Sequence, residues 1–212
     1  LYGFSRHVLQ VPDTPGRARH TTGYWTLEAP DWSARPALEA FLARGGPVVS
    51  IGFGSMSSDD PRALTDLVVG AVRDAGVRAV LLSGWGGLAD AAGDDVFVAD
   101  ALPHDRLFPR VDGVVHHGGA GTTGVALRAG VPALVVPFTM DQPFWASRVR
   151  ALGVGPVPIP RTKLDRASLA AGLRALVGDA AMRGRAKELG ERIRAADGVA
   201  NAVAVLEGVL RM

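Results

Sequence analysis

Residues 116–123 read HHGGAGTT, and these residue types in this order suit the holding of an anion. Just ahead, residues 111–115 are short and apolar, like a buried strand. Just behind, residues 124–130 read as a helix that stops at glycine. A strand that turns through glycines into a helix start exposes backbone N–H groups without partners, at the positive end of the helix dipole. Glycine lets a phosphate come close to the main chain, and His117, Thr122 and Thr123 add side-chain donors. After one more strand, residues 133–136, Asp141 and Gln142 are expected at the same sheet edge. A carboxylate beside an amide suits a ring bearing several hydroxyls. A phosphate binder joined to a hydroxyl binder predicts a nucleotide-sugar ligand.

The elements that must position these groups follow from the rest of the pattern. Continuous apolar runs at residues 47–51, 77–82, 95–98, 111–115 and 133–136 read as strands buried on both faces, and residues 153–159 as a strand or extended run. Helices are expected at 37–44, from Asp60-Pro61 to Gly76, for one turn at 104–108, and at 142–152, 165–177, 179–195 and 199–210. Asp165 and Asp179 are good N-caps and Gly178 a good stop. Strands alternating with helices predict an α/β fold: a Rossmann-like parallel sheet with helices on both faces. Such sheets bind ligands beyond the carboxyl ends of their strands. The glycine-rich or polar turns at 52–55, 83–87, 100–104, 116–123 and 137–142 all fall there. Residues 1–36, rich in Pro, Gly, Thr and Trp, read as an interdomain linker and leading segment that packs on a nucleotide-sugar-binding domain of residues 37–212.

Composition narrows the classes. The chain has 212 residues, 48% of them hydrophobic, which suffices for one packed α/β domain and not for two nucleotide-binding domains. A net charge of +2, without a long basic run and with few aromatics, argues against nucleic acid as a partner. There is no cysteine, so disulfides, thiolate catalysis and cysteine-held metals are excluded. No apolar run reaches the ~18 residues of a transmembrane segment, and no signal peptide opens the chain. Leu1 stands where a complete protein would have Met, which reads as a start inside a longer protein.

The segments PVVSIGFGSM (47–56), LLSGWGGL (81–88), LPHDRLFPRVDGVVHHGGAGTT (102–123) and PFTMDQPFWA (137–146) resemble the C-terminal, donor-binding half of family 1 glycosyltransferases of the GT-B fold. The likeness is to sterol glucosyltransferases and bacterial enzymes that glycosylate antibiotics, and Gly23-Tyr24-Trp25 after Thr22 resembles their linker. The resemblance implies roles position by position. Ser55 would contact the distal phosphate, and His117 would donate to the pyrophosphate. Gly119, Ala120, Gly121 and Thr122 would hold the other phosphate. Leu102 would clamp the base through its backbone. Where plant members stack a tryptophan on the base this chain has Ala101, and Trp85 is the candidate substitute. Asp141 and Gln142 would hold sugar hydroxyls.

The implied function is transfer, with inversion, of a hexose (glucose favoured) from a UDP- or TDP-sugar to a hydroxyl of a lipid, sterol or natural product. The reaction would need no metal and no cofactor. The general base belongs to the family's N-terminal, acceptor-binding half. The expectation is therefore that this chain holds no catalytic residue, is inactive alone, and partners that missing half, towards which its last helix would reach. A cytoplasmic location, peripheral to a membrane at most, goes with this reading.

Rival readings rest on the same residues. His116 and His117 are neighbours on a strand and face opposite ways, and no third ligand has metal-site spacing, so no metal is expected and His116 should hold a loop by a backbone hydrogen bond. Asp141 could cap the helix behind it, and Phe144 and Trp145 read as packing residues. The run from Gly119 to Gly124 also fits the dinucleotide pattern G-x-G-x-x-G, with Asp141 near the ribose-acid position, as in an NAD-binding oxidoreductase domain. That fingerprint belongs to a first βαβ unit, whereas three strands precede it here. The remaining alternatives are a non-catalytic nucleotide-sugar-binding module and the separate donor subunit of a split glycosyltransferase.

Overall fold

A computed structural model describes residues 1–12, 15, 18–27, 31–54, 60–83 and 93–211 of the chain. Its centre is a parallel sheet of β1 (Val48–Gly52), β2 (Arg78–Leu82), β3 (Val96–Ala99), β4 (Gly113–His116) and β5 (Ala133–Val135), in the order β3-β2-β1-β4-β5. The helices are α1 (Pro36–Leu42), α2 (Pro61–Ala75), α3 (His104–Leu107), α4 (Ala120–Ala129), α5 (Gln142–Ala151), α6 (Arg166–Gly178), α7 (Ala180–Arg194) and α8 (Gly198–Leu210).

The strands are apolar throughout because each feeds two cores. Val49, Ile51, Ala79, Leu81, Val115 and Leu134 face the layer of α2 and α6. Their neighbours Val48, Val80, Leu82, Val114, Ala133 and Val135 face the layer of α1, α4, α5 and α7. This is the two-residue period of a strand read out on both faces. The chain crosses the sheet between β1 and β4, so β1's neighbours lead to helices on opposite sides, and a crevice opens above the carboxyl ends of those two strands.

Local chemistry ends the helices largely as expected. Asp60 accepts from the Ala63 amide at 2.9 Å, with Pro61 opening α2, and Gly76 closes it in the left-handed region at φ 65°. Asp165 and Ser168 form a reciprocal capping box. Gly178, expected as a stop, is the last residue of α6. Asp179 follows it and caps α7 through the Met182 amide. Helix α4 begins at Ala120 rather than 124, because Gly119 takes the N-cap position and its carbonyl accepts from the Thr123 amide. The glycines of the first turn are tolerated there by packing of α4 on α7 and α3, which overrides intrinsic propensity. Residues 153–159 run beside β5, joined by Ala133 N to the Val154 carbonyl and Ile159 N to the Val135 carbonyl, but do not form a sixth strand. Pro156, Pro158 and Pro160 lack the amide hydrogens that a ladder needs.

The leading segment lies on the domain in a largely extended path. Tyr2 bridges Thr21, Val8 is fully buried, and Phe4 meets the Trp145 ring edge-on. The Asn201 amide donates to the Thr22 carbonyl, tying α8 to the segment.

Candidate functional site

The carboxyl ends of β1 to β4 enclose a cavity of about 260 Å³. Gly52 and Gly54 line it from the β1 end, Leu82 from β2, Asp100, Ala101 and Leu102 from beyond β3, and His116, His117 and Thr122 from β4 and α4.

His116 and His117 are consecutive but do opposite work. The His116 ring is wholly buried, and its Nδ1 accepts from the Gly118 amide at 3.0 Å, the loop-holding bond expected of it. Burial, reinforced by the charges of His117 and His104, pulls its pKa down to about 3, so it is neutral at ordinary pH. The hydrogen bond holds Gly118 at φ 94°, a conformation for glycine. The peptide therefore turns sharply between strand and helix.

His117 faces the cavity, its ring perpendicular to that of His116. Two glycines make its niche. A Cβ on Gly54 would lie 3.0 Å from the His117 Cε1, and one on Gly119 would lie 2.5 Å from its Nε2. The His117 Nδ1 is buried and has no hydrogen-bond partner among the described residues. Burial lowers the His117 pKa and the Asp141 carboxylate opposes that, so Asp141 acts on the ring through space. The first turn of α4 completes the cradle. Gly119 offers no side-chain cap, and the amides of Ala120, Gly121 and Thr122 precede the helix's first internal hydrogen bond, leaving them directed outward at the positive pole of the dipole.

Asp141 and Gln142 stand on the same rim. A Cβ on Gly118 would come within 2.7 Å of Val135 and 3.1 Å of the Gln142 carbonyl, so the glycine turn and the start of α5 are in contact. The loop after β1 meets the loop leading into α5 through the Phe53 and Phe138 rings, with centroids 5.6 Å apart. Gln142 is buried, and its Oε1 accepts from the Phe138 amide at 2.7 Å and the Thr139 amide at 3.1 Å, which locks the loop leading into α5. Asp141 is exposed and makes no cap bond to its helix. Its Oδ2 instead accepts from the Trp145 indole at 2.8 Å. Met140, just before it, has φ 56°, a strained value for a residue with a side chain.

The structure thus collects Leu102, His117 and Thr122 around the small cavity. Ala120 and Gly121 line an adjoining cavity of about 720 Å³, and Gly119 lies between His117 and α4. Asp141 and Gln142 line neither cavity; Asp141 is linked to the larger one through Trp145 and to the smaller one through His117. Ser55 and Trp85 fall outside the described residues. Sequence reasoning missed His104. It lines both cavities, stacks on Phe108 at 4.6 Å between centroids, and has its pKa lowered by burial and by His117. Its signal was its place as the first residue of a helical turn straight after β3. Among the described residues no group of His, Asp and Glu is arranged to hold a metal ion, and no helix is long and apolar enough to cross a membrane.

Comparison with known proteins agrees with this geometry. Residues 62–207 match the erythromycin biosynthesis protein CIII-like C-terminal domain. An O-mycaminosyltylonolide 6-deoxyallosyltransferase of Streptomyces fradiae is 42% identical over 98% of this chain and 49% of its own length. A sterol 3-beta-glucosyltransferase of Emericella nidulans is 45% identical over 96% of this chain and 15% of its own. The solved structure of the glycotransferase of kitacinnamycin superposes with a TM-score of 0.67 at 27% identity, over 91% of this chain and 46% of that one. The chain therefore spans about half or less of the length of these relatives. With its parallel sheet, its glycine turn at the β4–α4 junction and these matches, the chain belongs to the erythromycin biosynthesis protein CIII-like C-terminal domain family, a family of glycosyltransferase domains.

Proposed function

We propose that this domain binds a UDP- or TDP-hexose, glucose favoured, as the donor half of an inverting glycosyltransferase acting on a hydroxyl of a lipid, sterol or natural product. The observation that carries the reading is the outward-facing start of α4 beside His117, at the mouth of a cavity on the strands' carboxyl edge. In such a transfer the bond between the sugar's anomeric carbon and the diphosphate breaks, and charge grows on the leaving phosphate. The amides of residues 120–122, the α4 dipole and the His117 N–H are placed to stabilise that charge without a metal. Leu102 and the cavity wall beyond β3 take the base, and Asp141 orients the sugar. The general base and acceptor pocket belong to a further half, against which the exposed stripe of Val199, Val203, Leu206 and Leu210 on α8 would pack.

A bound diphosphate favours the protonated form of His117, so UDP affinity should rise as pH falls from 8 to 6. His117→Ala should weaken UDP binding by about 1–3 kcal/mol and flatten that pH dependence. Calorimetric titration of the chain with UDP tests both. Unchanged affinity in the variant removes His117 from the phosphate site.

A further inference from the structure

Trp145 joins the rim that carries Asp141 to the leading segment. The indole is 8% exposed, and its Nε1 hydrogen bond to Asp141 Oδ2 closes across the first turn of α5. Asp141 occupies the N-cap position, yet its backbone is already helical (φ −83°, ψ −4°) and its carboxylate makes no cap bond. The amides of Phe144 and Trp145 bond instead to the Asp141 carbonyl, at 3.0 and 3.2 Å. The carboxylate is therefore oriented by the indole rather than by the helix start. Its other oxygen, Oδ1, has no protein partner among the described residues.

The indole is itself held from the far side. Phe4 meets it edge-on with centroids 6.3 Å apart, and Phe144 does so at 5.2 Å. One turn further along α5, the Arg148 guanidinium donates twice to the Val8 carbonyl, at 2.7 and 3.1 Å. The leading segment thus grips two successive turns of α5. Residue 145 could pack as any large apolar side chain. Only a ring N–H pointed at the carboxylate gives it a second task.

We infer that Trp145 is a positioning residue for the sugar-binding carboxylate, and that residues 4–8 of the leading segment set its position. An exposed aspartate samples several rotamers, and a ligand must stop that motion. Pinning one oxygen in advance leaves Oδ1 already aimed at a sugar hydroxyl. The leading segment then contributes to donor-sugar discrimination without touching the donor. This inference rests on the reading of Asp141 as a sugar ligand.

The test is the affinity ratio of sugar nucleotide to bare diphosphate (UDP-glucose against UDP, and TDP-glucose against TDP), measured by calorimetry on the 212-residue chain. Trp145→Phe keeps a ring in the packing and deletes the N–H. It should lower the ratio by about three- to tenfold while leaving UDP or TDP affinity unchanged. Phe4→Ala should lower it by a smaller factor in the same direction. Asp141→Ala should abolish it, and adding Trp145→Phe to Asp141→Ala should change nothing more. If the native chain shows the preference, Asp141→Ala removes it and Trp145→Phe retains it, the positioning role is overturned and the donor reading stands. A purely structural Trp145 would weaken both ligands equally or lower only the thermal midpoint, and either result overturns the inference. If the native chain shows no preference, or Asp141→Ala keeps it, the sugar role of Asp141 falls and this inference with it.

Discussion

Two adjacent histidines divide one task between them. His116 is inside, neutral, and spends its Nδ1 on the amide of Gly118. His117 is at the cavity, with a buried nitrogen that the described protein does not satisfy. Each ring keeps one buried nitrogen without a partner among the described residues, Nε2 in His116 and Nδ1 in His117, but only His117 is part-exposed, which marks it as the ligand-facing member. The buried ring also has a consequence for acid stability. The folded pKa of His116, about 3, lies below the ordinary 6.5, so the unfolded chain binds more protons below pH 6.5. The stabilisation is fully present above that pH and is lost as pH falls towards 3. His104 and His117 are shifted in the same direction and add to the effect. Urea unfolding should therefore show stability falling from pH 7 to pH 5, by up to about 1.4 kcal/mol per pH unit for His116. His116→Asn should be less stable at pH 7 and less sensitive to acid. An equal slope in both proteins would remove His116 as the source.

The turn between β4 and α4 sets the ligand-facing geometry, and its two glycines do different things. Gly118 has a left-handed backbone and no room for a side chain, with Val135 2.7 Å from where a Cβ would sit. Gly119 has an ordinary φ of −59°, but its Cβ would strike the His117 ring. Gly118→Ala should therefore destabilise the fold, by about 1–3 kcal/mol in chemical unfolding. Gly119→Ala should leave stability within about 1 kcal/mol and weaken UDP binding much as His117→Ala does. Matching stability losses in the two variants would show that the second glycine serves the backbone and not the imidazole. The same element explains why the dinucleotide pattern is deceptive here. Gly121 and Gly124 lie within α4, and Gly124 is there because the Tyr24 ring covers it, with Cε1 2.5 Å from where a Cβ would be.

Across the whole molecule, the leading segment is bound to the domain at both ends of the sequence. Val8 is buried against the layer of α1, α4, α5 and α7, while Gly198 at the start of α8 packs on the backbone of Gly23 and Tyr24. A Cβ on Gly198 would fall 2.3 Å from the Tyr24 carbonyl, and neither backbone can yield cheaply. Gly198→Ala should cost about 1–3 kcal/mol, and Val8→Ala about 1–2 kcal/mol. Each should shift one cooperative transition rather than create a second. A biphasic melt would mean that the segment and the domain unfold independently.

Residue order alone determined the α/β alternation, the parallel sheet, most helix caps, and the presence of an anion-binding glycine turn followed by an acid–amide pair. These depend on local propensities and on a period of two or 3.6, which are written in neighbouring residues. It did not determine where α4 begins inside the glycine run, that Gln142 locks its own loop, that His104 borders both cavities, or that Trp145 holds Asp141. The place of His104 depends on groups far apart in sequence meeting in space, whereas Gln142 and Trp145 bond to groups three or four residues away whose orientation the surrounding packing selects. The Tyr24 ring against Gly124 and the leading segment against α5 act by excluded volume and by hydrogen-bond supply, which the tertiary arrangement alone brings into play.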